Sequence, residues 1–164
     1  FPQQLQELLA YFDDNLPDAH PFRHLARSLP GGREAPDVWI LGSSADSAEL
    51  AGLLGLPYCI ADFIAGEAPV LADRYREAFR PSARASAPQL MVACWAVAAA
   101  TDAEAERLSG PSRMMLALLM RGQLIAVPEP DRAMRWLAQN PTPVPANRRP
   151  IVGDAARCRA GLLE

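Results

Sequence analysis

The sequence predicts an α/β fold in which parallel strands alternate with helices. Three apolar runs, at residues 38–41, 56–64 and 89–99, are each followed by a segment with apolar residues at helical spacing. The runs do not alternate apolar with polar residues, which is typical of strands buried on both faces of a parallel sheet. Strands and helices in this order predict right-handed crossover connections.

The composition narrows the class of protein. Half of the 164 residues are hydrophobic and 21% are charged, as in a folded domain. The net charge is −3, which gives no reason to expect a nucleic-acid partner. The longest apolar run is too short to cross a bilayer, so we expect no membrane partner and a cytoplasmic location. The three cysteines lack C-x-x-C spacing and are expected to be small buried residues.

Residues 1–35 are predicted to be a helix followed by a loop. Leu5, Leu8, Leu9 and Phe12 lie at helical spacing, and the residues from 13 onwards are rich in Pro, Gly and Asp. His20 and His24 are four residues apart, but Pro21 lies between them and no H-E-x-x-H is present. We therefore predict loop histidines and no metal site. Both chain ends stop within helical patterns, so we expect a segment of a longer protein.

Residues 36–109 are predicted to form the strand-and-helix units, which are three successive pairs of a strand and a helix. The turn within the first pair is the most informative one. Gly42 follows the apolar run and allows a close backbone approach, and Ser43 and Ser44 are strong N-cap types. A helix start offers unpaired N–H groups and positive potential to an anion, so this turn suits a phosphate. Alternatively, Ser44 only caps the helix and Asp46 only complements its dipole.

The helix of the second strand-and-helix pair is predicted to have one apolar face, and the helix of the third pair has a clear start signal. The face consists of Leu71, Tyr75, Ala78 and Phe79, and Pro81 is expected to end that helix. The run "QLMVACWAVAA" is predicted to be one strand. Thr101 and Glu104 then have the spacing of a capping box, and Gly110 with Pro111 is expected to break the helix.

Residues 110–149 are predicted to be a helical and proline-rich insertion. A strongly apolar helix at 112–122, with core or subunit-contact methionines, and a short helix at 128–140 precede extended proline-rich chain at 141–150. Residues 150–164 are predicted to start the last helical region, with Gly153 and Asp154 opening a helix.

Two larger architectures remain open from the residues alone. In a doubly wound sheet, Asp62 lies about 20 residues past Gly42, where an acidic residue holds a dinucleotide ribose, but the later glycines of G-x-G-x-x-G are missing. An eight-stranded barrel needs about 250 residues, so this chain would be about half of one. A serine nucleophile is not indicated, because no G-x-S-x-G is present.

Several stretches resemble one known family in their order along the chain. "PDVWILGSSADSAELAGLLGLPYCIADFI", "YREAFRPS", "QLMVACWAVAAATDAEAERL" and "IVGDAARCRAGLLE" are similar to the C-terminal half of the bacterial luciferase-like, flavin-dependent monooxygenases. The similarity is greatest to the branch with G-S-S-x-x-S-A after the fifth strand.

This resemblance implies a TIM barrel of luciferase-like type, present here as a partial barrel of about strands 5 to 7 with their helices. It implies that Gly42, Ser43, Ser44 and Ser47 bind the phosphate of FMN, or of a deazaflavin, and that Phe63 lines the flavin or substrate. It further implies oxidation of a small organic substrate with reduced FMN and O2, and the exposed edges of a partial barrel favour a homodimer. No catalytic residue is assigned, and the isolated segment is expected to be inactive. The alternatives are a non-catalytic flavin- or phosphate-binding relic and a nicotinamide-dinucleotide-binding α/β protein.

Overall fold

The computed structural model describes residues 1–26, 28, 36–141 and 150–163, and these form an α/β chain. The helices are Pro2–Phe12 (α1), Ala45–Leu53 (α2), Asp62–Ala65 (α3), Ala68–Ala78 (α4), Asp102–Leu119 (α5), Pro130–Gln139 (α6) and Ala155–Leu163 (α7). The strands are Ile40–Gly42 (β1), Tyr58–Ala61 (β2), Leu90–Ala93 (β3), Ala96–Ala98 (β4) and Ile151–Gly153 (β5). None of the described helices is both long and apolar enough to span a membrane.

The strands form two small sheets, one in the order β1-β2-β3 and one of β4 and β5. β4 and β5 are parallel, with Ala96 opposite Ile151 and Ala98 opposite Gly153, so parallel pairing occurs here with a strand that the sequence did not predict. The prediction of a single third strand was wrong, because β3 and β4 belong to different sheets. The sequence from the start of β3 to the end of β4 is apolar throughout and contains no turn residue, so no local signal marks the break between the two strands.

The chain divides into two compact units, of which the first comprises Phe1–Cys59 and Ala72–Leu90. Its core is aromatic: the rings of Tyr58 and Tyr75 lie 5.5 Å apart and those of Tyr75 and Phe79 lie 5.8 Å apart. Gly52 on α2 lies so close to α4 that an added Cβ would be 2.9 Å from Ala78 Cβ. Tyr75 and Phe79 are buried and Ala78 is half-buried, as the predicted apolar face of this helix requires.

The second unit comprises Ile60–Leu71 and Met91–Glu164, and its main helical contact is between α5 and α6. The predicted helix break at Gly110 and Pro111 was wrong, because α5 runs through both residues. An internal proline costs a helix about 3 kcal/mol, a penalty that burial can offset. Gly110 and Pro111 are both buried, and an added Cβ on Gly110 would be 3.0 Å from Met134 Sδ on α6.

Two further expectations, one for residues 150–164 and one for the cysteines, were corrected. Ile151–Gly153 is a strand, whereas the sequence predicted only a helix start; three residues are too few to show a strand period. Cys158 is buried as expected, but Cys94 is exposed and Cys59 is intermediate. The proline-rich prediction at 141–150 lies mostly outside the described residues, as does part of the predicted loop at 13–36.

The Asp102 carboxylate connects the starts of α5 and α7. Its Oδ1 accepts a hydrogen bond of 2.8 Å from the Asp154 N–H, and its Oδ2 lies 3.4 Å from Arg157 Nη1. The hydrogen bond from Asp154, and after it Arg157, holds the pKa of Asp102 below its ordinary value. This carboxylate therefore contributes stability above its ordinary pKa, and the contribution is lost as the pH falls through the lowered value.

We expect Asp102→Asn to flatten the loss of stability on the acid side, below pH about 4, because asparagine keeps an acceptor oxygen but does not titrate. Urea unfolding midpoints measured between pH 3 and 7 check this. Asp37→Asn, which changes an exposed carboxylate, is the matched control. If the unfolding midpoint of Asp102→Asn falls at acid pH as steeply as that of the wild type, this carboxylate has no such role in stability.

Candidate functional site

The turn between β1 and α2 is held by a reciprocal pair of serines. Ser44 Oγ accepts from the Ser47 N–H at 3.3 Å, and the Ser44 N–H donates to Ser47 Oγ at 3.2 Å. This is a capping box, and it confirms the prediction that Ser44 is the N-cap of α2. We call Gly42, Ser43, Ser44 and Ser47 the serine corner.

Gly42 is required in the serine corner because the Ser47 side chain occupies the space of any larger residue. A Cβ added to Gly42 would lie 2.1 Å from Ser47 Oγ and 2.4 Å from Ser47 Cβ. Both distances are shorter than non-bonded atoms tolerate. The glycine therefore lets Ser47 reach back across the end of β1.

Tyr58 supports the serine corner from the core. Its side chain is 0% exposed, and its hydroxyl lies 3.0 Å from Ser47 Oγ. Burial raises the pKa of the Tyr58 hydroxyl, while the hydrogen bond to Ser47 opposes this rise. Sequence reasoning missed Tyr58 because it lies within an apolar strand; its hydroxyl in that run is the signal that could have found it.

The serine corner has donors that fit a phosphate group. The first N–H groups of a helix have no intrahelical partner, so those of Ala45 and Asp46 are available at the start of α2. Ser43 is half-buried and Ser44 is exposed, and both carry hydroxyls. Asp46 adds a negative charge in the first turn, but its side chain is exposed. Hydroxyls and N–H groups beside a helix dipole favour an anion.

Phe63 and Asp62 lie in the second unit, in the short helix that follows β2. Phe63 is 38% exposed, so part of its side chain is accessible. Asp62 Oδ1 accepts from the N–H of Ala68, the first residue of α4, at 3.1 Å. One oxygen of the Asp62 carboxylate thus holds the start of α4.

The two predicted loop histidines are placed in the first unit. His20 Nδ1 accepts from the Phe22 N–H at 3.2 Å, and His24 lies in a 3-10 turn, Arg23–Leu25. Within the described residues, no three His, Cys, Asp or Glu side chains are grouped to hold a metal ion.

Comparison with known proteins decides the family. A family model described as luciferase-like monooxygenase matches residues 13–161. The chain belongs to the luciferase-like monooxygenase family.

Relatives within the luciferase-like family align with nearly the whole chain. A luciferase-like monooxygenase of Escherichia coli (strain K12) is 36% identical over 166 residues, which are 99% of this chain and 48% of that protein. An N-acetyl-S-alkylcysteine monooxygenase of Bacillus subtilis (strain 168) is 30% identical over 137 residues. This alignment covers 84% of this chain and 41% of that protein. The chain spans about half the length of the curated relatives that match it end to end.

A solved structure supports the fold of this family. The crystal structure of apo-MsnO8 is similar with a TM-score of 0.76 and 33% identity, over 98% of this chain and 49% of that chain. The short sheets and flanking helices therefore correspond to part of a luciferase-like α/β domain.

Proposed function

We propose that this chain is the flavin-phosphate-binding part of an oxidoreductase of the luciferase-like family, which uses reduced FMN and O2 on a small organic substrate. The observation that carries the proposal is the serine corner. In a chain of a monooxygenase family, the hydroxyls of Ser43 and Ser44 lie at the start of α2, where the first N–H groups of a helix lack intrahelical partners. FMN ends in a single phosphate that suits such a group of donors. A deazaflavin is the alternative, since its side chain also bears phosphate.

The roles of the residues follow from their chemistry. The flavin, when bound, supplies the redox chemistry, and the protein supplies binding and orientation. Ser43, Ser44 and the N–H groups of Ala45 and Asp46 donate to the phosphate. Ser47 and Gly42 fix the geometry of the turn. Phe63 provides an aromatic surface for the flavin ring or the substrate, and the name of the Bacillus subtilis relative supports a small organic substrate.

We further propose that the chain forms about strands 5 to 7 of an eight-stranded TIM barrel. Its coverage of 48% of the Escherichia coli relative and 49% of the apo-MsnO8 chain supports this. Met91 and Val92 on β3 are 52% and 49% exposed, as expected of a strand that further protein covers. We therefore expect the isolated chain to be catalytically inactive and to associate as a homodimer, in the cytoplasm.

The phosphate contact is tested by comparing FMN with riboflavin, which lacks the phosphate. We expect the Ser44→Ala, Ser47→Ala double variant to bind FMN about tenfold or more weakly, because hydrogen bonds to charged groups contribute about 1.5–3 kcal/mol each. Riboflavin affinity should not change. Quenching of flavin fluorescence on titration measures both affinities.

Ser86→Ala, which changes an exposed serine before β3, is the matched control and should leave both affinities unchanged. Unchanged FMN affinity in the double variant would reject the serine corner as the phosphate site.

A non-catalytic flavin- or phosphate-binding relic is the second candidate, because the serine corner by itself supports binding of a phosphate and no redox step. Both candidates take up FMN, but only the enzyme consumes O2 with reduced flavin once its barrel is complete. Oxygen uptake is measured for this chain alone and together with the part of a relative's chain that it does not cover. Uptake only in the second case supports the enzyme, and no uptake in either case supports the relic.

A further inference from the structure

We propose that Tyr58 is a positioning residue that keeps the Ser44 hydroxyl proton available to the flavin phosphate, acting through Ser47. This inference rests on the proposed phosphate site. It concerns a single chain of contacts within the first unit, from the buried Tyr58 hydroxyl through Ser47 Oγ to the exposed Ser44.

The hydrogen bonds around Ser47 assign its proton. Ser47 Oγ lies 2.8 Å from the Ser44 carbonyl oxygen, which can only accept, so the Ser47 hydroxyl donates there. The Ser44 N–H donates to Ser47 Oγ at 3.2 Å and fills one of its two acceptor positions. One acceptor position on Ser47 remains.

Two hydroxyls compete for this last acceptor position. Tyr58 Oη lies 3.0 Å from Ser47 Oγ, whereas Ser44 Oγ lies 3.3 Å from it. Because Ser47 has already used its proton, Tyr58 is the donor in its own contact. The bond from Tyr58 is the shorter of the two, so the 3.3 Å hydrogen bond from the Ser44 hydroxyl to Ser47 is the weaker one.

The Ser44 hydroxyl is therefore held only weakly by Ser47, and its proton is available to an anion outside the turn. Its oxygen still accepts from the Ser47 N–H, so its position is fixed while its proton is not needed within the turn. Burial raises the pKa of Tyr58, so the phenol keeps its proton and remains a donor at neutral pH. A preorganised donor of this kind strengthens a hydrogen bond to an anion, because the protein does not rearrange on binding.

Removal of the Tyr58 hydroxyl reverses this arrangement. In Tyr58→Phe, the acceptor position on Ser47 becomes vacant and the Ser44 hydroxyl turns inward to fill it. Phosphate binding must then break that contact. The ring of phenylalanine keeps the packing against Tyr75, so the core stays filled.

The test compares the ratio of FMN to riboflavin affinity in wild type, Tyr58→Phe and Tyr75→Phe. We expect the ratio to fall about fivefold to tenfold in Tyr58→Phe, the equivalent of one hydrogen bond of about 1 kcal/mol or slightly more. Tyr75→Phe removes another buried hydroxyl, which bonds to backbone rather than to Ser47, and should lower stability without changing the ratio. An unchanged ratio in Tyr58→Phe overturns the proposal.

A double-mutant cycle with Ser47→Ala tests the route of the effect. Ser47→Ala removes the acceptor towards which Ser44 would turn but keeps the Ser44 hydroxyl. Tyr58→Phe should therefore have no further effect on the ratio in that background. A further fall equal to that in the wild-type background would show that Tyr58 does not act through Ser47.

The outcomes separate this inference from the proposed function. If wild-type protein binds FMN and riboflavin equally, or binds neither, the proposed phosphate site is wrong and the inference falls with it. If wild type prefers FMN and Tyr58→Phe keeps that preference, only the role of Tyr58 is wrong. Independently of any variant, a slowly exchanging Tyr58 hydroxyl proton with NMR contacts to Ser47 is expected in the ligand-free protein, and its absence overturns the assigned donor.

Discussion

Replacing Gly42 with alanine is expected to abolish the preference for FMN and to lower the free energy of unfolding of the first unit by about 2–3 kcal/mol, as overpacking does. The new methyl group and Ser47 Oγ, 2.1 Å apart, cannot both keep their positions. Displacement of Ser47 breaks its bonds to Ser44 and Tyr58 together. Flavin fluorescence titration and urea unfolding measure the two effects.

Gly122→Ala is the control for a general cost of replacing glycine. Gly122 has a φ of +73° and no atom within 4 Å of an added Cβ, so alanine there costs only its left-handed backbone, about 1–2 kcal/mol, and leaves flavin binding unchanged. If Gly42→Ala kept full FMN preference, the capping box would not be required for the phosphate site.

The parts of the site that sequence reasoning predicted are those with local signals. The Ser44 cap and the glycine at the end of β1 follow from the preferences of single residues within one turn. The contact of Tyr58 with Ser47 joins residues 11 positions apart on different elements, and it depends on how β2 packs beside α2. No periodicity encodes that contact.

The fold shows the same division between local and tertiary signals. The helix face with Tyr75 and Phe79 was predicted from spacing, because amphipathic periodicity reports burial directly. The continuity of α5 through Pro111 and the split between β3 and β4 depend on contacts with α6 and β5, which are distant in sequence. Tertiary packing overrides local propensity at such positions.

Tyr75→Ala is expected to give the largest loss of stability, about 4–5 kcal/mol, typical of large-to-small changes of a buried aromatic residue. Tyr75 is 0% exposed, and its ring contacts Tyr58 and Phe79. Its hydroxyl also donates to the Leu56 carbonyl and accepts from the Gln89 N–H, both at 3.0 Å. Alanine removes the packing and leaves both backbone groups without this partner.

Tyr75→Phe separates these two contributions, because it keeps the ring and removes only the hydroxyl. We expect a loss of about 1–3 kcal/mol, the cost of leaving buried polar groups unsatisfied. Phe22→Ala, at a side chain that is 57% exposed, is the control for loss of an aromatic ring and should change stability little. Urea unfolding followed by far-UV circular dichroism measures all three variants. A loss in Tyr75→Ala no larger than that in Tyr75→Phe would mean that the packing of the ring contributes nothing to stability.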